Sequence, residues 1–519
     1  MSMRIGIDVG GTNTDAVLMD GMKVLTWYKT PTTADVSSGI VASLAAVLKD
    51  SGVAPAAIRG VMIGTTHFTN AVVERKRLPE VGAIRLGLPA TKALPPMIDW
   101  PEDLGRTLGY HRYLVHGGNE FDGREIAPLN EQELRAAAKD LRQKGVKSVA
   151  ITSVFSPVSS AMEQRAAEIV ADEAGEVAIS LSHEIGRVGL LERENATIMN
   201  GCLKQLASLV VQSFREALRR LDIHAPFYIS QNDGTLMNAE HVEKYPVLTF
   251  ASGPTNSMRG AAFLAKTKEA MVVDIGGTTS DVGMLLHGFP RESSVAVDIG
   301  GVRTNFRMPD VLSFGLGGGS LVRDDGARIG PDSVGYELTT KGLVFGGDVL
   351  TTTDIVVAAG LADIGDRGRV AHLPPRTIDA ALDTIHRMTD EAIDRAKTSA
   401  EPLPVILVGG GAILISRDLP AASAIVNPEH APVANAIGAA IAQVGGEVDR
   451  VFSLEGLSRD DALDEAKREA TGKAVAAGAD PETTHIVDVE EVPLAYLPSS
   501  ATRIRVKAVG DLSMRRDPL

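Results

Sequence analysis

A chain of 519 residues, with 44% hydrophobic and 23% charged residues, is too long for one compact core and suits an α/β protein of roughly two to four domains. Its formal net charge of -14 argues against a surface for nucleic acid or an anionic membrane, since either partner requires a basic face. The single cysteine, Cys202, excludes an intramolecular disulfide and is typical of a reducing compartment. We therefore expect a cytoplasmic protein.

No export leader and no membrane segment are predicted. The first predicted element is a strand over residues 3–9, which leaves no room before it for a charged leader. The most apolar stretch, residues 405–415, contains three consecutive glycines and is too short to cross a bilayer.

Short β-branched runs alternate with helical stretches through the first 180 residues, which predicts α/β wiring. A long helical pattern over residues 192–221 is expected to lead into a second α/β unit that ends near Val444. A helix that begins after Ser458 and an alternating strand around Ile504 follow. We predict three units, namely an N-terminal half (1–190), a second half (191–444) and a small α+β C-terminal appendage (445–519).

One motif occurs twice, at corresponding positions of the two halves. Residues 7–15 read IDVGGTNTD, and residues 273–281 read VDIGGTTSD. In each copy a strand delivers an aspartate, two glycines let the chain turn back, and hydroxyl residues follow. A hairpin of this kind directs backbone N–H groups and hydroxyls at one concavity, which suits phosphate oxygens. Two facing hairpins are expected to clamp a polyphosphate.

The hairpins supply the predicted site. Asp8 and Asp274 are placed to hold Mg²⁺ as metal ligands and catalytic groups. Asp15 and Asp281 are secondary candidates for a metal or base role, the alternative being that each caps its own hairpin. The predicted phosphate-binding residues are Gly10, Gly11, Thr12, Asn13, Thr14, Gly276, Gly277, Thr278 and Thr279.

Two further glycine runs are candidate parts of a nucleotide site. Gly317, Gly318 and Gly319 are predicted to offer free N–H groups to phosphate, the alternative being a bare hinge. Gly409, Gly410 and Gly411 follow an apolar strand and are predicted to lie against an adenosine, the alternative being a crowded strand-to-helix turn. No P-loop sequence is present, and no glycine motif is placed for a dinucleotide.

Substrate contacts are expected from two other segments. Thr65, Thr66, His67 and Asn70 follow a predicted strand at the expected cleft, the alternative being a helix N-cap with a satisfied histidine. His183 and Glu184 lie just past another strand, where the histidine is alternatively a hydrogen-bonded filler. The run 192–194 (ERE) is either functional or a solvated charged face of the long helix.

These motifs together resemble the superfamily of actin, sugar kinases and heat-shock chaperone ATPases. The segment 64–75 (GTTHFTNAVVER) is similar to one typical of hydantoinase and 5-oxoprolinase ATPase subunits, as are 182–185 (SHEI), 252–254 (SGP), 317–320 (GGGS) and 434–439 (ANAIGA). The resemblance implies an actin-like ATPase superfold, with duplicated ribonuclease-H-like α/β domains flanking an ATP cleft. It also implies ATP and Mg²⁺ as cofactors.

The resemblance further implies that the chain is an ATP-dependent hydrolase of cyclic amide C–N bonds, or its ATPase subunit, acting by phosphorylation of a carbonyl oxygen. The expected partners are a small amide or carbonyl substrate and a second protein subunit, and a homo-oligomer is compatible with it. A small-molecule kinase, an ATPase subunit of a ketone carboxylase and a nucleotide-dependent sensor or chaperone-like ATPase are the alternatives. Thr255 and Asn256 depart from the small residues common in the family at these positions, which leaves the substrate open.

Overall fold

The structure is a computed structural model that describes residues 3–32, 38–186, 188–293, 296–306, 308–494 and 501–513. Its strands are β1 (Met3–Val9), β2 (Asn13–Asp20), β3 (Lys23–Pro31), β4 (Ile58–Thr65), β5 (Val81–Leu88), β6 (His111–His116), β7 (Ser148–Ser153), β8 (Ala178–Leu181), β9 (Phe227–Ser230), β10 (Thr235–Asn238), β11 (Ala270–Ile275), β12 (Ser280–Leu286), β13 (Phe289–Pro290), β14 (Val297–Ile299), β15 (Val302–Thr304), β16 (Val311–Phe314), β17 (Ser320–Arg323), β18 (Arg328–Ser333), β19 (Leu403–Val408), β20 (Ala422–Val426), β21 (Gln443–Phe452), β22 (His485–Pro493) and β23 (Thr502–Gly510).

The α-helices are α1 (Ser38–Ser51), α2 (His67–Glu74), α3 (Glu102–Thr107), α4 (Glu131–Gln143), α5 (Ala161–Ala174), α6 (Ser182–Ile185), α7 (Leu190–Arg220), α8 (Ala239–Lys244), α9 (Ser252–Ala265), α10 (Leu338–Lys341), α11 (Thr352–Ala358), α12 (Pro375–Ala396), α13 (Ala434–Ala440) and α14 (Arg459–Ala476). The predicted long helix is α7, which confirms that prediction. No helix in the described ranges is long and apolar enough to span a membrane.

Two sheets repeat one strand pattern, which confirms that the molecule is built from duplicated α/β halves. In the first sheet β1 pairs antiparallel with β2 and parallel with β4, and β4 pairs parallel with β9. In the second sheet β11 pairs antiparallel with β12 and parallel with β19, and β19 pairs parallel with β20. The outer antiparallel strand is β3 in the first sheet and β16 in the second. A separate parallel sheet has the order β6-β5-β7-β8.

The first sheet is nine strands wide, in the order β22-β23-β21-β10-β9-β4-β1-β2-β3. The predicted appendage has its expected helix, α14, whose N-terminus is capped when Ser458 accepts from the backbone N–H of Asp461. Its strands β22 and β23 extend the first sheet through β21, which pairs parallel with β10. The domain boundaries at 190 and 444 stay a prediction. Strands β9 and β10 follow residue 190 in the chain but belong to the same sheet as the strands of the first half.

Helices α9 and α13 and strand β1 approach one another more closely than side chains allow. A Cβ added to Gly260 would lie 1.8 Å from the carbonyl oxygen of Ala434, and one added to Gly438 would lie 1.8 Å from that of Asn256. A Cβ on Gly6 of β1 would lie 2.0 Å from the carbonyl oxygen of Ala436. Glycine at these positions therefore permits the close crossing of α9 with α13 and the close approach of α13 to β1.

Gly438→Ala is expected to lower the free energy of unfolding by about 1–3 kcal/mol, because the new methyl group forces two backbones apart. The measurement is urea unfolding followed by circular dichroism. Gly472→Ala is the matched control, since Gly472 lies in α14 with nothing within 4 Å of an added Cβ, and it is expected to stabilise by about 0.5–1 kcal/mol. Equal effects of the two substitutions would contradict the close crossing.

Candidate functional site

Both copies of the repeated motif form the predicted hairpin. The backbone N–H of Gly10 donates to the carbonyl oxygen of Asn13 at 3.0 Å, and that of Gly276 donates to Thr279 at 2.9 Å. Each hairpin also sets two aspartates opposite each other as cross-strand partners, Asp8 with Asp15 and Asp274 with Asp281. The repeat in the sequence is therefore a repeat of backbone geometry.

The two hairpins face each other at their tips. A Cβ added to Gly277 would lie 3.0 Å from Cγ2 of Thr12, which places the two turns in contact range. At the strand ends behind the tips, Asp274 lies close enough to Asp8 for its charge to raise the pKa of Asp8. The structure thus brings the predicted carboxylates of both halves to one place.

Asp8 is the most perturbed of these carboxylates. It is 6% exposed, and burial, followed by the charges of Asp15 and Asp274, raises its pKa to about 7. Its Oδ2 accepts a hydrogen bond from Nδ2 of Asn435 at 2.8 Å. Its Oδ1 is buried and has no hydrogen-bond partner in the described structure.

The other three carboxylates are also poised against ionisation. Burial raises the pKa of Asp15 even though Lys29 lies 2.7 Å away and opposes the shift. Burial raises the pKa of Asp274 and raises that of Asp281 to about 6. Burial is the largest cause in each case. Removing the carboxylate charge from water costs more free energy than the nearby hydrogen bonds and opposite charges regain.

The residues at this site fit a magnesium ion that is shared with a phosphate group. Oδ1 of Asp8 and Oδ1 of Asn256 are both buried without a donor, and oxygen is the ligand type that Mg²⁺ takes. The described residues include no set of three His, Cys, Asp or Glu side chains arranged to hold a metal by themselves. Mg²⁺ ordinarily takes one or two carboxylates and completes its shell with phosphate and water, so such a set is not required.

Three polar side chains of the site were not predicted. Lys29 on β3 is the cross-strand partner of Asp15, and Asn435 at the start of α13 donates to Asp8. Asn256 on α9 approaches the same carboxylate, since a Cβ added to Gly64 would lie 2.7 Å from both Asn256 Nδ2 and Asp8 Oδ1. Asn435 lies within segment 434–439, which resembles the family, and Asn256 departs from the residues common in the family at its position. Both positions were therefore noticed in the sequence, but no role was predicted for either.

The prediction that Gly317, Gly318 and Gly319 offer free N–H groups to phosphate is wrong. Gly318 donates to the carbonyl oxygen of Gly276 at 3.0 Å, and Gly319 donates to that of Gly277 at 2.7 Å. Gly317 donates to the hydroxyl of Ser320 at 2.9 Å. The loop instead braces the second hairpin from behind.

The run from Gly409 to Gly411 is a crowded turn with one open position. Gly409 has φ +83°, and an added Cβ would lie 2.3 Å from Oδ1 of Asp274. Gly411 donates to the carbonyl oxygen of Ile275 at 2.8 Å, and a Cβ there would meet the same residue. An added Cβ on Gly410 meets nothing within 4 Å, so Gly410 has open space beside it. The adenosine contact stays a prediction, and Gly410 is the glycine of this run with room for it.

The segment from Thr65 to Asn70 begins at the end of β4 and lies beside the first hairpin. Thr65 pairs with Val9 at the end of β1, and its hydroxyl lies 2.6 Å from Nδ1 of His67. Burial, together with the charge of Arg77, lowers the pKa of His67 to about 4, so its ring is neutral. Thr66 makes no side-chain cap to α2, and its hydroxyl accepts from Nδ2 of Asn70. Substrate contact by this segment stays a prediction.

His183 and Glu184 are held in a separate network. Nδ1 of His183 lies 2.6 Å from Glu163, a fully buried carboxylate that also accepts from the backbone N–H of Ser153. Glu184 forms an ion pair with Lys244 at 3.0 Å. These contacts support the hydrogen-bonded alternative for His183, and its substrate role stays a prediction.

The solvated alternative for residues 192–194 is wrong at two of the three positions. Arg193 and Glu194 are buried, and Arg85 donates to both carboxylate oxygens of Glu194. Arg193 donates to Ser182 and to the carbonyl oxygen of Ser153. These charges fix the start of α7 against the four-stranded sheet.

A cavity of about 920 Å³ opens at a different place from the carboxylates. Its walls come from the start of α7, from the region around β13 and from strands β22 and β23. Of the residues singled out in the sequence, Glu192 and Thr255 line it, and none of the predicted phosphate, metal or substrate residues does. The hairpins bring hydroxyls and carboxylates to one place, which suits a phosphate that arrives with Mg²⁺, so they are the candidate phosphate site.

Comparison with known proteins decides the family. Residues 4–174 match the family described as "Hydantoinase/oxoprolinase N-terminal region", and residues 193–365 match "Hydantoinase/oxoprolinase". The chain belongs to the hydantoinase/oxoprolinase family. The predicted recognition is thereby confirmed, on motifs that lie largely within these two ranges.

Curated relatives are similar at low identity. The chain is 27% identical over 393 residues to caprolactamase subunit alpha of Pseudomonas jessenii, which covers 69% of this chain and 55% of that protein. It is 27% identical over 395 residues to the acetophenone carboxylase gamma subunit of Aromatoleum aromaticum, which covers 69% and 53%. The chain therefore spans little more than half the length of the curated relatives it matches.

Two solved structures share the fold. The ATP-dependent caprolactamase from Pseudomonas jessenii aligns with a TM-score of 0.77 at 20% identity, over 99% of this chain and 88% of that chain. The nucleotide-free structure of acetone carboxylase aligns with a TM-score of 0.71 at 20% identity, over 100% and 89%. With the duplicated strand pattern, they confirm the predicted actin-like α/β fold class.

Asp8→Asn is expected to stabilise the nucleotide-free protein. Because the pKa of Asp8 is about 7 when folded, against 3.8 ordinarily, the folded state binds a proton more tightly than the unfolded state. The free energy of unfolding should therefore fall as pH rises between these values, and the substitution should remove that fall. We expect the gain in urea unfolding to be about 2 kcal/mol larger near pH 8 than near pH 5.

Asp50→Asn removes the same charge from an exposed position in α1 and serves as the control. Both proteins are measured with a chelator present, so that no metal occupies the carboxylates. A gain for Asp8→Asn that is the same at both pH values would contradict the raised pKa.

Proposed function

We propose that this chain is the ATPase part of an ATP-dependent enzyme that opens small cyclic amides by phosphorylating the carbonyl oxygen. The observation that carries the proposal is the pair of facing hairpins with buried carboxylates behind them, in a chain of the hydantoinase/oxoprolinase family. The similarity to an ATP-dependent caprolactamase supports the choice of a cyclic amide.

The chemistry follows from the poor reactivity of amides. Resonance gives the C–N bond partial double-bond character and makes the carbonyl carbon a weak electrophile. When the carbonyl oxygen attacks the γ-phosphorus of ATP, a new P–O bond forms and the bond to the ADP oxygen breaks. A first water then adds to the carbon, and the ring nitrogen takes a proton as the C–N bond breaks, which leaves an acyl phosphate. A second water hydrolyses the acyl phosphate to the carboxylic acid and free phosphate. The sum is amide, ATP and two waters to amino acid, ADP and phosphate.

The hairpins have the role of positioning and neutralising charge in this scheme. Mg²⁺, when bound, would neutralise phosphate charge, and Asp8, Asp274 and Oδ1 of Asn256 are the groups that would hold it. Thr12 and Thr278 at the two tips would donate hydroxyls to the phosphates. Lys29 adds a cation beside Asp15.

Asp281 is our candidate for the general base. Its pKa of about 6 lies close to neutral pH, where a base is ionised yet still accepts protons well. Ser313 donates to it and so fixes its orientation. In the first hairpin, Asp15 is bound by Lys29 and is less suited to that role.

A second protein subunit is part of the proposal. Three relatives that are similar in sequence are named as subunits, and this chain spans about half their length. We propose that the chain works with a separate subunit that carries out the remainder of the reaction.

A ketone carboxylase subunit is the second candidate function. The acetophenone carboxylase gamma subunit is as similar as the caprolactamase subunit, at 27% identity. A ketone oxygen would be phosphorylated at the same hairpins with loss of a proton from the α-carbon, which gives an enol phosphate. The nucleophilic α-carbon of the enol phosphate would then form the C–C bond to a carboxyl donor as the O–P bond breaks and phosphate leaves.

The direct test measures ATP hydrolysis by the purified chain with Mg²⁺, against lactams, hydantoins, 5-oxoproline and simple ketones. We expect one class of cyclic amide to stimulate ADP release with ring opening, because the amide oxygen accepts the phosphoryl group. Asp8→Asn is expected to lower kcat/KM for ATP by about 100-fold or more.

Asp50→Asn is the control and should leave turnover unchanged, since it removes an exposed charge outside the site. Stimulation by ketones alone would favour the carboxylase candidate. A stable phosphorylated product would instead indicate a kinase. Slow hydrolysis that no compound stimulates, with or without a co-expressed partner, would point to a sensor, and undiminished turnover in Asp8→Asn would refute the hairpin assignment.

A further inference from the structure

Each half of the molecule aligns three polar residues across three neighbouring strands, two aspartates and then one further residue. The rows are Asp8, Asp15 and Lys29 on β1, β2 and β3, and Asp274, Asp281 and Ser313 on β11, β12 and β16. The duplicated site is therefore symmetric in its carboxylates. It is asymmetric at the third position, which has a cation in one half and a hydroxyl in the other.

The second half shows that a row of this kind can be completed without a cation. The hydroxyl of Ser313 donates to Oδ1 of Asp281. Lys29 supplies the equivalent hydrogen bond to Asp15 and adds a full positive charge. A purely structural role would use this charge to offset the burial of Asp15 and nothing more.

The ammonium group of Lys29 retains hydrogen-bonding capacity beyond that role. Nζ has three N–H donors, and in the described structure it makes one hydrogen bond, to Oδ2 of Asp15 at 2.7 Å. The side chain of Lys29 is 26% exposed, whereas that of Asp15 is 3% exposed. A ligand can therefore reach the ammonium group from the solvent side without breaking its bond to Asp15.

Lys29 lies close to the carboxylates of both halves. Its charge opposes the rise in the pKa of Asp8 and Asp15 in the first half and of Asp274 in the second. Three residues further along the chain, Thr32 donates its hydroxyl to a carbonyl oxygen in the turn of the first hairpin at 2.8 Å. The segment that contains Lys29 therefore continues along the first hairpin to the turn where phosphate is expected.

The ligand that suits such a cation is a phosphate group. An ammonium group is a common phosphate ligand because it combines a point charge with hydrogen-bond donors. The terminal phosphate of a nucleoside triphosphate carries more negative charge than the inner phosphates, and the carboxylates behind the hairpins repel it. A cation among these carboxylates offsets that repulsion at the group that is transferred.

We propose that Lys29 binds the terminal phosphate of ATP through the N–H donors that Asp15 does not use. Lys29 is then a catalytic residue, because it touches the transferred group and neutralises its charge as the carbonyl oxygen attacks. Ser313 leaves the equivalent position of the second half uncharged, so the two halves are not interchangeable in phosphoryl transfer. The inference rests on the proposed function, since it assigns a further residue of the same site to that reaction.

The test compares the binding of ADP and of the non-hydrolysable β,γ-imido analogue of ATP to the full chain, with Mg²⁺, by isothermal titration calorimetry. Lys29→Ser gives the first row the residue of the second. We expect it to weaken binding of the analogue by about 10- to 100-fold, because a charge-assisted hydrogen bond to the terminal phosphate is lost. Its affinity for ADP should change by less than about 3-fold, since ADP lacks that phosphate. Lys29→Arg keeps the charge and should recover part of the loss.

Lys23→Ser is the matched control. It removes the same charge from an exposed position of β3, where the cross-strand partner is Asp20, and it should bind both nucleotides like the wild type. Thermal unfolding of each variant establishes that it is folded.

A second measurement needs no variant. Acetylation of amines in the wild-type chain, followed by mass spectrometry, should show that the analogue protects Lys29 more strongly than ADP does. Lys23 should be acetylated equally in all conditions.

The inference is overturned if Lys29→Ser changes the affinities for ADP and the analogue equally or not at all, or if both nucleotides protect Lys29 equally. The first of these results is the one expected of a purely structural ion pair. Amide-stimulated ATP turnover together with either result would retain the proposed function and reject the role of Lys29. A selective loss of affinity for the analogue, without amide-stimulated turnover, would retain the role of Lys29 and reject the function.

Discussion

Like charges buried at one point are the constraint around which this molecule is organised. Asp8, Asp15 and Asp274 come together from two halves of the chain, away from water, and their mutual repulsion adds to the cost of burial. Lys29 and the amide of Asn435 offset only part of that cost. Binding of a cation together with its anion would stabilise these carboxylates most. Nucleotides bind in this form, as a complex of Mg²⁺ with phosphate.

The packing of α9 brings polar side chains to these carboxylates. Its first turns carry Asn256 and Ser257 to the carboxylates, and its crossing with α13 carries Asn435 to Asp8. Glycines at the crossing are needed because any side chain would separate the helices and withdraw both asparagines. The glycines at the crossing are therefore needed both for core packing and for site geometry. The carboxylates of the two halves are contacted by side chains from one shared pair of helices.

Local features of the site could be predicted, and features that depend on distant contacts could not. The hairpins are encoded by an aspartate, two glycines and hydroxyl residues within one short segment, so the sequence was sufficient. Asn256 became part of the site only through a helix crossing far along the chain. The N–H groups of Gly318 and Gly319 looked free because their acceptors lie in the second hairpin. The sequence left open whether Arg193 and Glu194 were solvated, because their burial depends on the four-stranded sheet.

The return of α13 to β1 has a consequence for biosynthesis. Asp8 is synthesised 427 positions before its hydrogen-bond donor Asn435, and the sheet that contains β1 also contains β23. During translation the N-terminal half therefore carries an unfinished sheet edge and an uncompensated acidic centre. The nascent chain must be kept from premature pairing until α13 and β23 have been synthesised.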